Sequence, residues 1–224
     1  MFTELKQQMI QAGKTLDRYG LIALSGGNVS VRTESGEILV TPSGILYDDM
    51  TPDQIVVMDI EGKIIEGETK PSSDTEAILY IFQNRPDVNG IIHTHQPYAT
   101  AIGLCEDEFH VNLTTLANAA AGHVPVAPFS SAGSIDMGID TVKYIGSSLA
   151  IILAHHGVIT IGNSLKQALY AAVYLEEAAK THLVAAAYGI KKHMTDEQIQ
   201  QAIDVFQYYG QGTPVIPKEL VTRK

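Results

Sequence analysis

The chain has only one cysteine, Cys105, in 224 residues. A lone thiol excludes an intrachain disulfide and fits a reducing compartment. Long apolar runs are missing too. The longest, LAIILA from Leu149 to Ala154, is far too short to cross a bilayer. The N-terminal stretch MFTELKQQMI carries charge where a secretory leader has its apolar region. A soluble cytoplasmic protein without a membrane partner is expected. Basic stripes are also lacking, and the formal net charge is −10, which argues against nucleic acid as a partner. The same acidity restricts small ligands. An anionic substrate gains nothing from bulk charge and needs local donors: backbone N–H groups, hydroxyls or a metal ion.

What the chain does have is a core. Apolar residues make up 45% of it, enough for a sizeable globular fold. Repeats, low-complexity segments and interdomain linkers are absent, so residues 1–224 are expected to form one domain. Its tail, 213–224, is expected to be loose or partner-bound. TELKQQMIQAGKTLDRYG reads as an amphipathic helix with Gly20 as its cap. Short β runs follow: NVSVRT, EILVT, IVVMDI and KIIEG. Asp74 to Asn84 is helical in pattern and stopped at Arg85-Pro86, and Val88, Ile91 and Ile92 then mark a buried strand. PYATAIGL starts another helix, and SSLAIILAHHGVITIG reads as a second buried strand. Asn163 or Ser164 caps a long helix that ends at Gly189. A last helix opens with Thr195 and Gln198 as a capping box. Strands and helices mix throughout, which predicts the α/β class.

Chemistry gathers at the strand ends. His93 and His95 are two apart, so in a strand they project from one face while Thr94 points the other way, the dispensable member of the motif. Alone, the pair fits two half-buried polar residues as well as a metal site. LAHHGVI adds His155 and His156 at the end of another apolar run. Adjacent residues of a strand face opposite ways, so only one of them can join the pair, and parity does not say which. Two histidines from one strand and one from another meet the three-ligand count of a catalytic zinc site. His110, His123 and His193 show no such pattern, and His182 reads as a helix-surface residue.

Three small-residue loops accompany the histidines. SGGNVS precedes a strand, TPSGI follows one and KPSSD precedes a helix. Each frees backbone N–H groups that can ring a phosphate. None has the spacing of a P-loop or a dinucleotide fingerprint. Asp74 closes the third loop, as an exposed acid favouring a helix N-terminus or as a base beside a metal.

In this order, SGGNVS, TPSGI, KPSSD, HTH and HHG resemble the class II aldolases of the fuculose-phosphate type. Ribulose-phosphate 4-epimerases and the adducin head domain are close relatives of that group. The resemblance runs from the first helix to YYGQ. It implies a three-layer α/β/α domain with a central, mainly antiparallel sheet, assembled as a homotetramer with active sites between subunits. It implies Zn2+, or Mn2+ or Co2+, on His93, His95 and His156. It assigns phosphate binding to Gly27, Asn28, Ser43, Gly44, Ser72 and Ser73, and catalysis to Asp74. The aldolases usually carry glutamate at Asp74 and the epimerases aspartate. KPSSDT and YYGQ are similar to epimerases; TPSG, with Thr41 where epimerases tend to have lysine, is similar to aldolases. Thr114 stands at the aldolases' donor tyrosine and Ala119 at the epimerases' aspartate, so neither donor is present. Tyr209 matches a tyrosine important in both groups and is the expected donor. The resemblance therefore implies a sugar-phosphate aldolase that cleaves a ketose 1-phosphate through an enediolate, giving dihydroxyacetone phosphate and an aldehyde. The alternatives are a 4-epimerase and a non-catalytic adducin-like module.

Overall fold

The computed structural model describes residues 2–190 and 192–206. Tyr209 and the 213–224 tail lie outside them. The chain opens with helix α1, Thr3–Arg18, whose Met9, Ile10 and Leu16 recur at helical spacing and are buried. Gly20 follows in the left-handed region at φ 73°, which stops the helix as the sequence predicts. Among the described residues, nine strands then form one open sheet. They are β1 Asn28–Arg32, β2 Ile38–Val40, β3 Val56–Met58, β4 Ile64–Glu66 and β5 Gly90–Thr94. The others are β6 Glu108–Phe109, β7 Val124–Ala127, β8 Ala150–Leu153 and β9 Gly157–Gly162. Their spatial order is β4-β3-β2-β1-β5-β9-β8-β7-β6. Every neighbouring pair is antiparallel except β7 and β8. The expected mainly antiparallel α/β fold is thus the observed one.

Alternate residues of each strand feed opposite faces, and helices cover both. On one face Val40, Met58, Ile91 and Ile159 pack with α2, Thr75–Asn84, and α5, Asp136–Tyr144. On the other, Val29, Leu39 and Ile92 pack with α1 and with α6, Leu165–Ala187. That second face continues over α3, Pro97–Ile102, α4, Thr114–Ala120, and α7, Asp196–Phe206. The expected caps are in place. Ser164 accepts the Gln167 N–H, and Thr195 and Gln198 exchange both capping-box bonds.

The segment SSLAIILAHHGVITIG departs from its expectation. It is a hairpin, β8 and β9, joined by a turn at Ala154–His156, with Leu153 facing Gly157. His155 takes a left-handed φ of 61° and the His156 N–H closes the turn on the Leu153 carbonyl at 3.1 Å. Apolar residues on both sides of the turn made the two strands look like one.

Thr94 also differs from expectation. It does point away from His93, but its hydroxyl donates to Gln96 Oε1 at 2.7 Å, and Gln96 is fully buried. The Gln96 amide reaches on to the Ala172 carbonyl of α6 at 3.4 Å. Glu176, buried on the same helix, accepts the Tyr98 and Ala99 N–H groups and holds the start of α3. Thr94 is therefore part of the join between sheet and helix layer. Thr94→Val is expected to lower the unfolding free energy by about 1–3 kcal/mol, because Gln96 Oε1 is left buried without a donor. Urea unfolding measures this loss, and unchanged stability would remove Thr94 from the join.

Candidate metal centre

The register of three strands builds the site. β5 lies between β1 and β9, with Asn28 opposite His93 and His93 opposite Ile159. His93 and His95 leave the C-terminal end of β5, and the β8–β9 turn delivers His156 beside them. The three imidazoles converge, with ring centroids 4.8–5.1 Å apart. One ligating atom from each lies within 4.8 Å of the others, with His93 buried, His156 half-buried and His95 exposed. Among the described residues this is the one such group of histidine, cysteine or acidic side chains. His155 faces outward toward Phe129, with ring centroids 6.4 Å apart.

Protons and lone pairs suit a cation. His93 Nδ1 sits 2.9 Å from the Val158 carbonyl, which only accepts, so Nδ1 carries the hydrogen. The lone pair of the neutral ring then lies on Nε2, 3.1 Å from His95 Nε2. Two nitrogens at about 2.0–2.1 Å from one tetrahedral ion are about 3.3 Å apart. His156 Nδ1 is buried with no partner. The donor set therefore fits a divalent metal. Close backbone approach holds it together. A Cβ on Gly157 would lie 2.3 Å from the Thr94 carbonyl oxygen, and one on Gly27, at φ 86°, would lie 2.5 Å from that of His93. Both positions need glycine.

Asp74 precedes the first residue of α2, is buried, and places Oδ2 3.9 Å from His93 Nε2. The Asn28 amide donates to that same oxygen at 2.7 Å. Asn28 Oδ1 is left buried and unpartnered. The two serine loops are joined through backbone. Ser43 N–H donates to the Lys70 carbonyl, Ser72 N–H to that of Thr41, and Pro42 bridges Pro71. Ser72 Oγ accepts the Asp74 N–H at 3.3 Å, while Ser43, Gly44 and Ser73 are exposed. The structure thus groups Gly27, Asn28, Asp74 and the three histidines, and joins the loop of Ser43 and Gly44 to that of Ser72 and Ser73. Tyr209, the expected donor, lies outside the described residues. Ala119 is buried in α4, and Thr114 opens that helix, exposed. His182, read as a helix-surface residue, is half-buried on α6, with its ring 5.1 Å from that of Phe109 in β6.

Burial pushes the His93 imidazole down to about 4, against the opposing pull of the Asp74 carboxylate. Burial, then His95, also lowers His156. Both rings are therefore neutral in the fold at pH 7, the form that binds metal. The ordinary histidine value is about 6.5, so below it the unfolded chain takes up protons that the folded one refuses. Metal-free protein is expected to keep full stability above about pH 6.5 and lose it as the pH falls toward 4. Urea midpoints in chelator, at about pH 7.5 and about pH 5, test the sign. Equal midpoints would show that these rings do not stay neutral.

Known proteins share this arrangement of chain. Residues 7–183 match the family described as Class II Aldolase and Adducin N-terminal domain. A 5-deoxy-D-ribulose 1-phosphate aldolase of Bacillus thuringiensis serovar kurstaki is 30% identical over 207 residues, covering 92% of this chain and 97% of that protein. An L-ribulose-5-phosphate 4-epimerase of Salmonella paratyphi C is 32% identical over 225 residues, covering 93% and 99%. A solved L-fuculose 1-phosphate aldolase superposes with a TM-score of 0.87 at 31% identity, covering 92% and 97%. With the match spanning most of its length, the chain belongs to the class II aldolase and adducin N-terminal domain family.

Proposed function

We propose that the protein is a metal-dependent aldolase that cleaves a ketose 1-phosphate to dihydroxyacetone phosphate and an aldehyde. The observation that carries this is the convergence of three histidines within 4.8 Å, beside a buried carboxylate and two joined serine loops. His93, His95 and His156 hold the ion, with zinc the first candidate and manganese or cobalt also suited to imidazole. When bound, a divalent ion supplies Lewis-acid stabilisation of negative charge at the substrate's carbonyl oxygen.

The chain's own groups do the rest. Backbone N–H groups and side chains of Gly27, Asn28, Ser43, Gly44, Ser72 and Ser73 bind the phosphate, as an acidic protein must do with local donors. In cleavage the C4 hydroxyl loses its proton, the C3–C4 bond breaks, and its electron pair passes to the ketone fragment. Tyr209, as its tyrosinate, serves the aldehyde oxygen in that step by taking the C4 hydroxyl proton and passing it to solvent. Asp74, held by Asn28, draws a proton from solvent and delivers it to C3, so that no net proton is gained or lost. The protein works as a homotetramer with active sites between subunits, a mass that light scattering on the purified protein measures directly.

Aspartate at position 74 favours a second reading, an epimerase that breaks and remakes the same kind of bond. A coupled assay for free dihydroxyacetone phosphate separates the two, because an epimerase releases no fragment. Release is expected here. His95→Ala is expected to lose bound metal and turnover together, and full metal content in that variant would sink the ligand assignment.

A further inference from the structure

Four buried side-chain polar atoms among the described residues have no hydrogen-bond partner: Asn28 Oδ1, Ser30 Oγ, Ser130 Oγ and His156 Nδ1. Asn28 and His156 belong to the site, and Ser30 shares the Asn28 face of β1. Ser130 comes from a segment that carries no assigned role. The residue is 6% exposed, and its buried hydroxyl forfeits the hydrogen bonds it makes in water. Buried polar groups left unpaired call for an explanation, and a ligand is one.

The path of the chain brings Ser130 to the site. β7 ends at Ala127, beside the end of β8, and the Ala154 N–H donates to the Ala127 carbonyl at 3.1 Å. Thus residue 128 starts out next to the turn that carries His156. Phe129 lies against His155 of that turn. At the far end of the segment, a Cβ on Gly133 would lie 3.4 Å from the Ser73 carbonyl oxygen. One helical turn on, a Cβ on Gly138 would lie 2.5 Å from the Ala77 carbonyl oxygen, so α5 presses on the first turn of α2 just after Asp74. The segment 128–134 therefore runs from the histidine turn to the serine loop, with Ser130 between its two contacts.

We infer that the Ser130 hydroxyl donates a hydrogen bond to an oxygen of the phosphate-bearing fragment held between the three histidines and Ser73. This rests on the aldolase reading and adds a substrate-binding residue to it. A neutral donor suits a chain that lacks bulk positive charge. The contact holds the fragment that keeps the phosphate, so it acts in binding and in both directions of the reaction.

Calorimetric titration of the metal-loaded protein with dihydroxyacetone phosphate tests this. Ser130→Ala is expected to weaken binding on the order of 10-fold, the loss of one hydrogen bond to a charged ligand. Its thermal midpoint should stay level or rise, because no bond within the protein is lost. Ser130→Thr, which keeps a hydroxyl, should restore most of the affinity. Unchanged affinity in Ser130→Ala, or a lower midpoint with unchanged affinity, overturns the inference while leaving the aldolase reading intact. Failure of the unaltered protein to bind the compound overturns both.

Discussion

The position of β5 between β1 and β9 is the constraint on which the site depends. Its register sets Asn28 opposite His93 and places the Val158 carbonyl where His93 Nδ1 must donate to it. A buried imidazole has one hydrogen to give, and here it is committed to backbone. The other nitrogen is thereby aimed at His95. A slip of one residue would turn His93 into the opposite helix layer and bring Thr94 to the site. The register is specified because both faces of β5 are buried: Ile91 belongs to one core cluster and Ile92 to the other.

Electrostatics follow from that placement. The His93 imidazole stands 3.9 Å from a buried carboxylate, and the carboxylate accepts from the Asn28 amide, with no lysine or arginine paired to it among the described residues. A divalent cation at the histidines would therefore have a carboxyl group as its neighbour. In the proposed reaction the anion is handled separately, by the Ser43–Gly44 loop and the Ser72–Ser73 loop that are joined through backbone before α2. Opposite charges of that substrate complex would thus be met by different elements.

Much of this was legible in the sequence because strand periodicity is local. Two histidines separated by one residue share a face in any strand, so their pairing needed no tertiary information. Small-residue loops before a strand and before a helix were equally plain. The β8–β9 turn was not, since Ala154 and Gly157 interrupt an apolar pattern that resumes at once and nothing marks His155 as left-handed. Thr94 was misjudged because its partner, Gln96, becomes fully buried only when α6 covers it. The stretch from 105 to 148 gave little sign of α4, α5, β6 and β7, which are short and held by contacts distant in sequence. Ser130 was missed for the same reason, although Ser130–Ser134 has the small-residue composition of the loops that drew attention.

The tight turn between β8 and β9 has one more consequence. His156 is delivered by a hairpin that pairs directly with β5, so its place, apart from the pairing of β7 with β8, does not depend on how the chain travels from α3 to β8. Closing a longer excursion costs only slowly growing entropy. That stretch is free to lengthen, shorten or change its helices without disturbing the three imidazoles. It is also the stretch that supplies the 128–134 segment. Change can therefore alter what borders the histidine cluster while the geometry of the three imidazoles stays as it is, a division between a fixed centre and a replaceable wall.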